Sequence, residues 1–94
     1  MKLAGFQELM ERMYGERDRG RGRQATIAWL AEEVGELARA VRKGTATQQL
    51  HELGDVLAWL ASLANQLGLS LDDAASRYAD GCPACGGTPC ACPA

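Results

Sequence analysis

Side chains that favour a sheet are scarce in this chain. Valine, isoleucine and threonine are few, and only five of the 94 residues are aromatic. Alanine and leucine dominate an apolar content of 47%. Both favour helix, so the composition predicts an all-α fold. No apolar run approaches the roughly 20 residues of a membrane span, and the N-terminus lacks a signal-peptide pattern. A cytoplasmic location is the expectation, with no membrane partner, in a reducing compartment where thiols stay free or bind metal. A net charge of −2 gives no push toward nucleic acid, which is the less favoured partner. Cysteine is absent until position 82.

Hydrophobic spacing predicts a small antiparallel bundle of about four helices. The first spans about 3 to 14, with Leu3, Phe6, Leu9, Met10 and Met13 at helical spacing. "GERDRGRGRQ", residues 15 to 24, has no periodicity and is expected to be a mobile loop, open to closing over phosphates or to simple solvation. A second helix is predicted over 24 to 43, with Ile27, Leu30, Val34, Leu37 and Val41 in one stripe. Arg42 and Lys43 suit its negative end, and Gly44 is a natural stop. Thr45 and Gln48 have capping-box spacing and open a third helix to Leu67, striped by Leu50, Leu53, Leu57, Leu60, Ala64 and Leu67. Ser70 and Asp73 open a short fourth helix through about Ala79. Residues 1–80 should form the helical body and 81–94 a Cys-rich tail. A body this small buries a modest core and is marginal as a monomer.

Charge is unevenly placed on these helices. "WLAEEVGELARAVRKG" puts Glu32, Glu33 and Glu36 within five positions. On a wheel at about 100° per residue, Trp29, Glu33 and Glu36 share one flank of the apolar stripe, and Glu32 lies further round. In "ELGDVLAW" Glu52, Asp55 and Trp59 share the equivalent flank. Two helices packed antiparallel through their leucines would let these flanks face each other. Converging carboxylates repel, and some must protonate unless a cation joins them. Hard oxygen ligands at i, i+3 suit Mg²⁺ or Mn²⁺, which keep waters for substrate phosphates. The expected ligands are Glu33, Glu36, Glu52 and Asp55; the plainer alternative is a solvated acidic face. No His or Cys interleaves with them, which disfavours a zinc-type catalytic centre. His51 is expected to face away from the acidic flank.

"EEVGE" followed after fifteen residues by "ELGD" resembles the EExxE…ExxD signature of MazG-like nucleoside triphosphate pyrophosphohydrolases. These belong to the all-α NTP pyrophosphatase superfamily, with dimeric dUTPases and phosphoribosyl-ATP pyrophosphohydrolase. The resemblance extends over roughly residues 24 to 80. It implies Mg²⁺-dependent hydrolysis of a (d)NTP to the monophosphate and pyrophosphate, with Glu33, Glu36, Glu52 and Asp55 holding metal. It also implies a general base at Glu32 or Glu36, a base-stacking aromatic at Trp59, less strongly at Trp29, and a homodimer or homotetramer. Arg39, Arg42 and Lys43 lie where they could approach the triphosphate, although helix-end charge already accounts for them. Two other functions compete: a non-catalytic helical oligomerisation or nucleic-acid-binding module, and phosphoribosyl-ATP hydrolysis.

The tail "CPACGGTPCACPA" carries Cys82, Cys85, Cys90 and Cys92. A CPxC knuckle, a Gly-Gly turn and CxC resemble a compact tetrathiolate site for structural Zn²⁺. Free thiols, redox pairing or a disordered tail are the alternatives.

Overall fold

A computed structural model describes residues 1–94 as four helices and no strand. They are α1 (Leu3–Arg21), α2 (Arg23–Lys43), α3 (Ala46–Leu67) and α4 (Leu71–Ser76). The capping box at the start of α3 forms: Gln48 N–H donates to Thr45 Oγ1, and Thr45 N–H donates to Gln48 Oε1. Ser70 Oγ likewise accepts from Asp73 N–H at the start of α4. That helix stops at Ser76 rather than near Ala79, and turns follow through Asp80. Residues 72–80 are all exposed.

The Gly/Arg-rich stretch is helix, not loop. α1 continues unbroken to Arg21, and only Gly22, at φ 88, separates it from α2. Tertiary bonds outweigh the poor propensity of three glycines. Asp18 is 2% exposed and ion-pairs with Arg21 at 2.7 Å. Its backbone carbonyl accepts from Gln66 Nε2 of α3 at 2.6 Å and from Gly22 N–H. Thr26 Oγ1 donates to Gly22 O and closes the turn. At the other end of α1, Gln7 Nε2 donates to Asn65 Oδ1 and Leu69 O, while Gln7 Oε1 accepts from Leu71 N–H.

α3 is the common packing partner. α1 packs against it, and the buried residues of α3, Ala61, Ser62 and Ala64, are small; Met10 of α1 is buried as well. α2 runs antiparallel along it, Ala40 O meeting Gln49 Nε2 at one end and Trp29 stacking on Trp59 at the other. The seam uses only Leu30 and Leu37 of the α2 stripe and none of the leucines of the α3 stripe. The buried or half-buried positions are Thr26, Leu30, Glu33, Leu37 and Ala40 on α2, and Glu52, Val56, Trp59 and Leu63 on α3. Ile27, Val34 and Val41 are 49%, 49% and 64% exposed, and Leu50, Leu53, Leu57, Leu60 and Leu67 are exposed as well. On the helical wheel these fall on the side of the seam opposite the carboxylates. Each apolar arc is wider than one neighbouring helix can cover, so half of it faces outward. Only eight residues of 94 are buried in the single chain. No helix is long and apolar enough to cross a membrane.

Candidate active site

The antiparallel register of α2 and α3 sets Glu36 across from Glu52 and Glu33 across from Asp55. Glu32, Glu33, Glu36, Glu52 and Asp55 line one cleft of about 300 Å³ with Trp29 at its side. Glu33, Glu52 and Asp55 are half-buried, while Glu32 and Glu36 are exposed at the rim. No lysine or arginine lines this cleft.

The electrostatic strain is concentrated on Glu33. Partial burial, then the negative fields of Asp55, Glu52 and Glu36, push its carboxyl above the usual range. The close approach of the Glu52 carboxyl adds to the same upward push. Glu52 Oε2 is sealed from solvent and has no hydrogen-bond partner. A buried carboxylate oxygen without a donor is costly, and a cation is one of the few groups that could satisfy it. The donor set is all carboxylate, which suits Mg²⁺ or Mn²⁺. The residues present therefore fit a hard divalent ion.

His51 departs from its expected position. Its Nε2 lies 3.3 Å from Asp55 Oδ2, and His51, Glu52 and Asp55 can bring one ligand atom each within 4.8 Å of one another. Residues 51 and 55 are i, i+4 on α3, so the histidine covers the outer edge of Asp55 rather than the far side of the helix.

Two further clefts adjoin the acidic one. Arg39, Lys43, Gly44 and Gln48 form a cleft of about 360 Å³ with Glu36 and Glu52 in its wall. Lys43 and Arg39 thus stand beside the carboxylates, and Arg42 lines none of these clefts. On the opposite side, Tyr14, Arg17, Arg21, Ala58, Trp59 and Ser62 enclose about 260 Å³ with Asp55. Trp59 stacks on Trp29 with ring centroids 5.9 Å apart and planes 15° from parallel, and the Arg21 guanidinium lies 4.8 Å from the Trp59 centroid. Trp59 is therefore already engaged twice, whereas Trp29 is 47% exposed.

The sequence did not single out Tyr14, Arg17 and Arg21 as site residues: Tyr14 ends the expected first helix, and Arg17 and Arg21 fall in the stretch expected to be a loop. The signal was present: Met10, Tyr14, Arg17 and Arg21 continue one helical face at spacings of four, three and four. Gly15 and Gly20 masked it. Gly15 is buried, and a Cβ there would collide with the Glu11 carboxylate.

The fold and cleft together define an all-α protein with a carboxylate-lined cleft between two helices, flanked by cationic and aromatic walls. Residues 21–81 match the family model described as MazG nucleotide pyrophosphohydrolase domain. The match covers more than half of the chain, which belongs to this family. No curated protein matches the chain.

Proposed function

We propose that the protein is a cytoplasmic, Mg²⁺- or Mn²⁺-dependent enzyme that hydrolyses a (d)NTP to the nucleoside monophosphate and pyrophosphate. In this reading residues 1–80 form the hydrolase body and 81–94 an appended tail. The observation that carries it is the convergence of five carboxylates in one cleft, with Glu52 Oε2 buried there without a partner. The mutual repulsion raises the Glu33 carboxyl above its usual range, and a cation would relieve it.

Glu33, Glu36, Glu52 and Asp55 would hold the metal, which when bound neutralises triphosphate charge and makes the α-phosphorus more susceptible to attack. Glu32 or Glu36, exposed at the rim, accepts the proton of the attacking water. The bond between the α-phosphorus and the bridging oxygen breaks, and pyrophosphate leaves with that oxygen. Lys43 borders the carboxylates and meets the leaving phosphates. Trp29 offers its open ring to the nucleobase, and Trp59 backs it from the α3 side. A structural Zn²⁺ at the tail thiols would stand apart from this chemistry.

The exposed apolar flank of α2 and α3 fits a second copy of the chain. Ile27, Val34, Val41, Leu50, Leu53 and Leu57 would supply the core that the single chain lacks, in a homodimer or a pair of dimers.

The test is turnover of a panel of dNTPs, NTPs and phosphoribosyl-ATP with Mg²⁺, with monophosphate and pyrophosphate both measured. Release of both products from a (d)NTP is expected, with Glu36→Gln and Asp55→Asn lowering the rate by on the order of 10²–10⁴. Absence of turnover on every substrate, or undiminished rates in both variants, would sink the reading.

A further inference from the structure

Residues 81–94 contain no buried side chain, yet they are wound into a defined knuckle. Cys82 N–H donates to Gly87 O at 3.0 Å, and Gly86 N–H donates to Cys82 O at 2.7 Å. Gly86 takes the left-handed conformation at φ 75, which turns the chain back after Cys85. A Cβ on Gly87 would stand 2.8 Å from Pro89 O, so the returning strand passes too close for any side chain. The result is that "CPAC" and "CAC" face each other across the turn.

All four Sγ atoms lie within 4.8 Å of one another. Cys82 is 3.7 Å from Cys92 and 3.6 Å from Cys90, and Cys85 is 3.9 Å from Cys90. A zinc ion bonded to four thiolates at about 2.3 Å holds them at the corners of a tetrahedron with edges of about 3.8 Å. The three measured separations match that edge. A disulfide would bring two sulfurs to about 2.05 Å, so the cysteines are not paired. An iron–sulfur cluster spreads its cysteines over several irons and needs wider spacing. Backbone amides complete the pattern: Ala91 N–H donates to Cys85 Sγ at 3.2 Å and Cys92 N–H to Cys90 Sγ at 3.3 Å. Amides aimed at sulfur orient thiolate ligands and offset their negative charge.

We propose that Cys82, Cys85, Cys90 and Cys92 bind one Zn²⁺ in a closed tetrathiolate site that folds residues 81–94 and takes no part in catalysis. With four protein ligands no coordination position stays open for water or substrate. Binding displaces four thiol protons, and the ion supplies what a segment without an apolar core lacks: its binding free energy is the folding free energy of the knuckle. The site shares no residue with the acidic cleft, so it stands or falls independently of the pyrophosphohydrolase reading.

The experiment uses the full chain, expressed with Zn²⁺ in the medium and purified under reducing conditions. Elemental analysis and thiol titration are run on it, on Cys85→Ser and on a variant with all four cysteines changed to Ser. One zinc per chain is expected, with all four thiols shielded until a chelator is added. Cys85→Ser should bind zinc about 100-fold or more weakly in chelator competition. The fourfold variant should hold none, while helix content and nucleotide turnover stay within about twofold of the parent. Equal zinc in the fourfold variant would place the ion on the carboxylates and overturn the proposal. Iron in place of zinc, disulfides, or thiols freely reactive before chelation would overturn it as well.

Discussion

Replacing Glu33 by Gln should shift stability in opposite directions depending on whether a divalent ion is present. Without metal, the Glu33 carboxyl is held among Asp55, Glu52 and Glu36 and kept above the usual carboxyl range. At pH 8 it must ionise against them, and solvent screening leaves the repulsion at about 1 kcal/mol. Glutamine removes that charge, and its amide can donate to a neighbouring carboxylate. In chelator the variant should therefore melt higher than the parent, by about 4–8 °C for a chain of this size. With Mg²⁺ at about 100 times its dissociation constant, the parent gains about 2.7 kcal/mol. A variant binding about 10- to 100-fold more weakly gains only about 0.4–1.4 kcal/mol at the same concentration. The order of melting temperatures then reverses.

The same group fixes the pH dependence. An acid whose folded-state pKa lies above its unfolded value binds its proton more tightly when folded. Stability in chelator should therefore decline as pH rises from 4.5, the ordinary value, through the raised one. Stabilisation by Mg²⁺ should grow across that window, because the ion requires the deprotonated carboxylates. Calorimetry on both proteins at one protein concentration, in chelator and in Mg²⁺, reads all of these. A Gln variant that melts lower in chelator would refute the repulsion argument. An equal Mg²⁺ shift in both proteins would remove Glu33 from the metal site.

Three other outcomes follow from particular contacts. Thr45→Ala removes one side of the capping box and should cost about 1 kcal/mol, seen as a lower melting temperature with nucleotide turnover unchanged. Leu53→Glu with Leu60→Glu, both on the exposed flank, should convert the proposed dimer to monomer in sedimentation; an unchanged sedimentation coefficient would refute an interface on this flank. Trp29→Ala should raise KM by roughly 2- to 13-fold through loss of about 0.5–1.5 kcal/mol of stacking, with kcat little altered. A fall in kcat at constant KM would take Trp29 away from the base.

Much of the fold was legible because its signals are local. The capping pairs Thr45–Gln48 and Ser70–Asp73 announce helix starts through bonds spanning three residues. The Ala/Leu composition and heptad-like stripes announce the helices themselves. The Gly/Arg stretch was not legible, because what keeps it helical lies far away in the chain. Gln66 holds the Asp18 carbonyl from 48 residues downstream, and Arg21 compensates the buried Asp18 while reaching Trp59. His51 was misplaced for a smaller reason: a long side chain at i, i+4 can lean back along the helix onto Asp55.

By itself the sequence determined that this is an all-α chain, that Glu33, Glu36, Glu52 and Asp55 share helix flanks, and that four cysteines cluster after the last helix. Periodicity and spacing suffice for those statements, since helix geometry converts residue number directly into direction. Only the tertiary structure decided which flank the seam uses. Packing through Thr26, Leu37 and Ala40 brings the carboxylates of the two helices into one cleft, where their fields raise the Glu33 carboxyl above its usual range. It also leaves Ile27, Val34 and Val41 of α2 and the leucines of the α3 stripe facing outward. An apolar stripe says that a helix has something to bury; whether its own chain or a second copy covers it depends on contacts that no local pattern encodes.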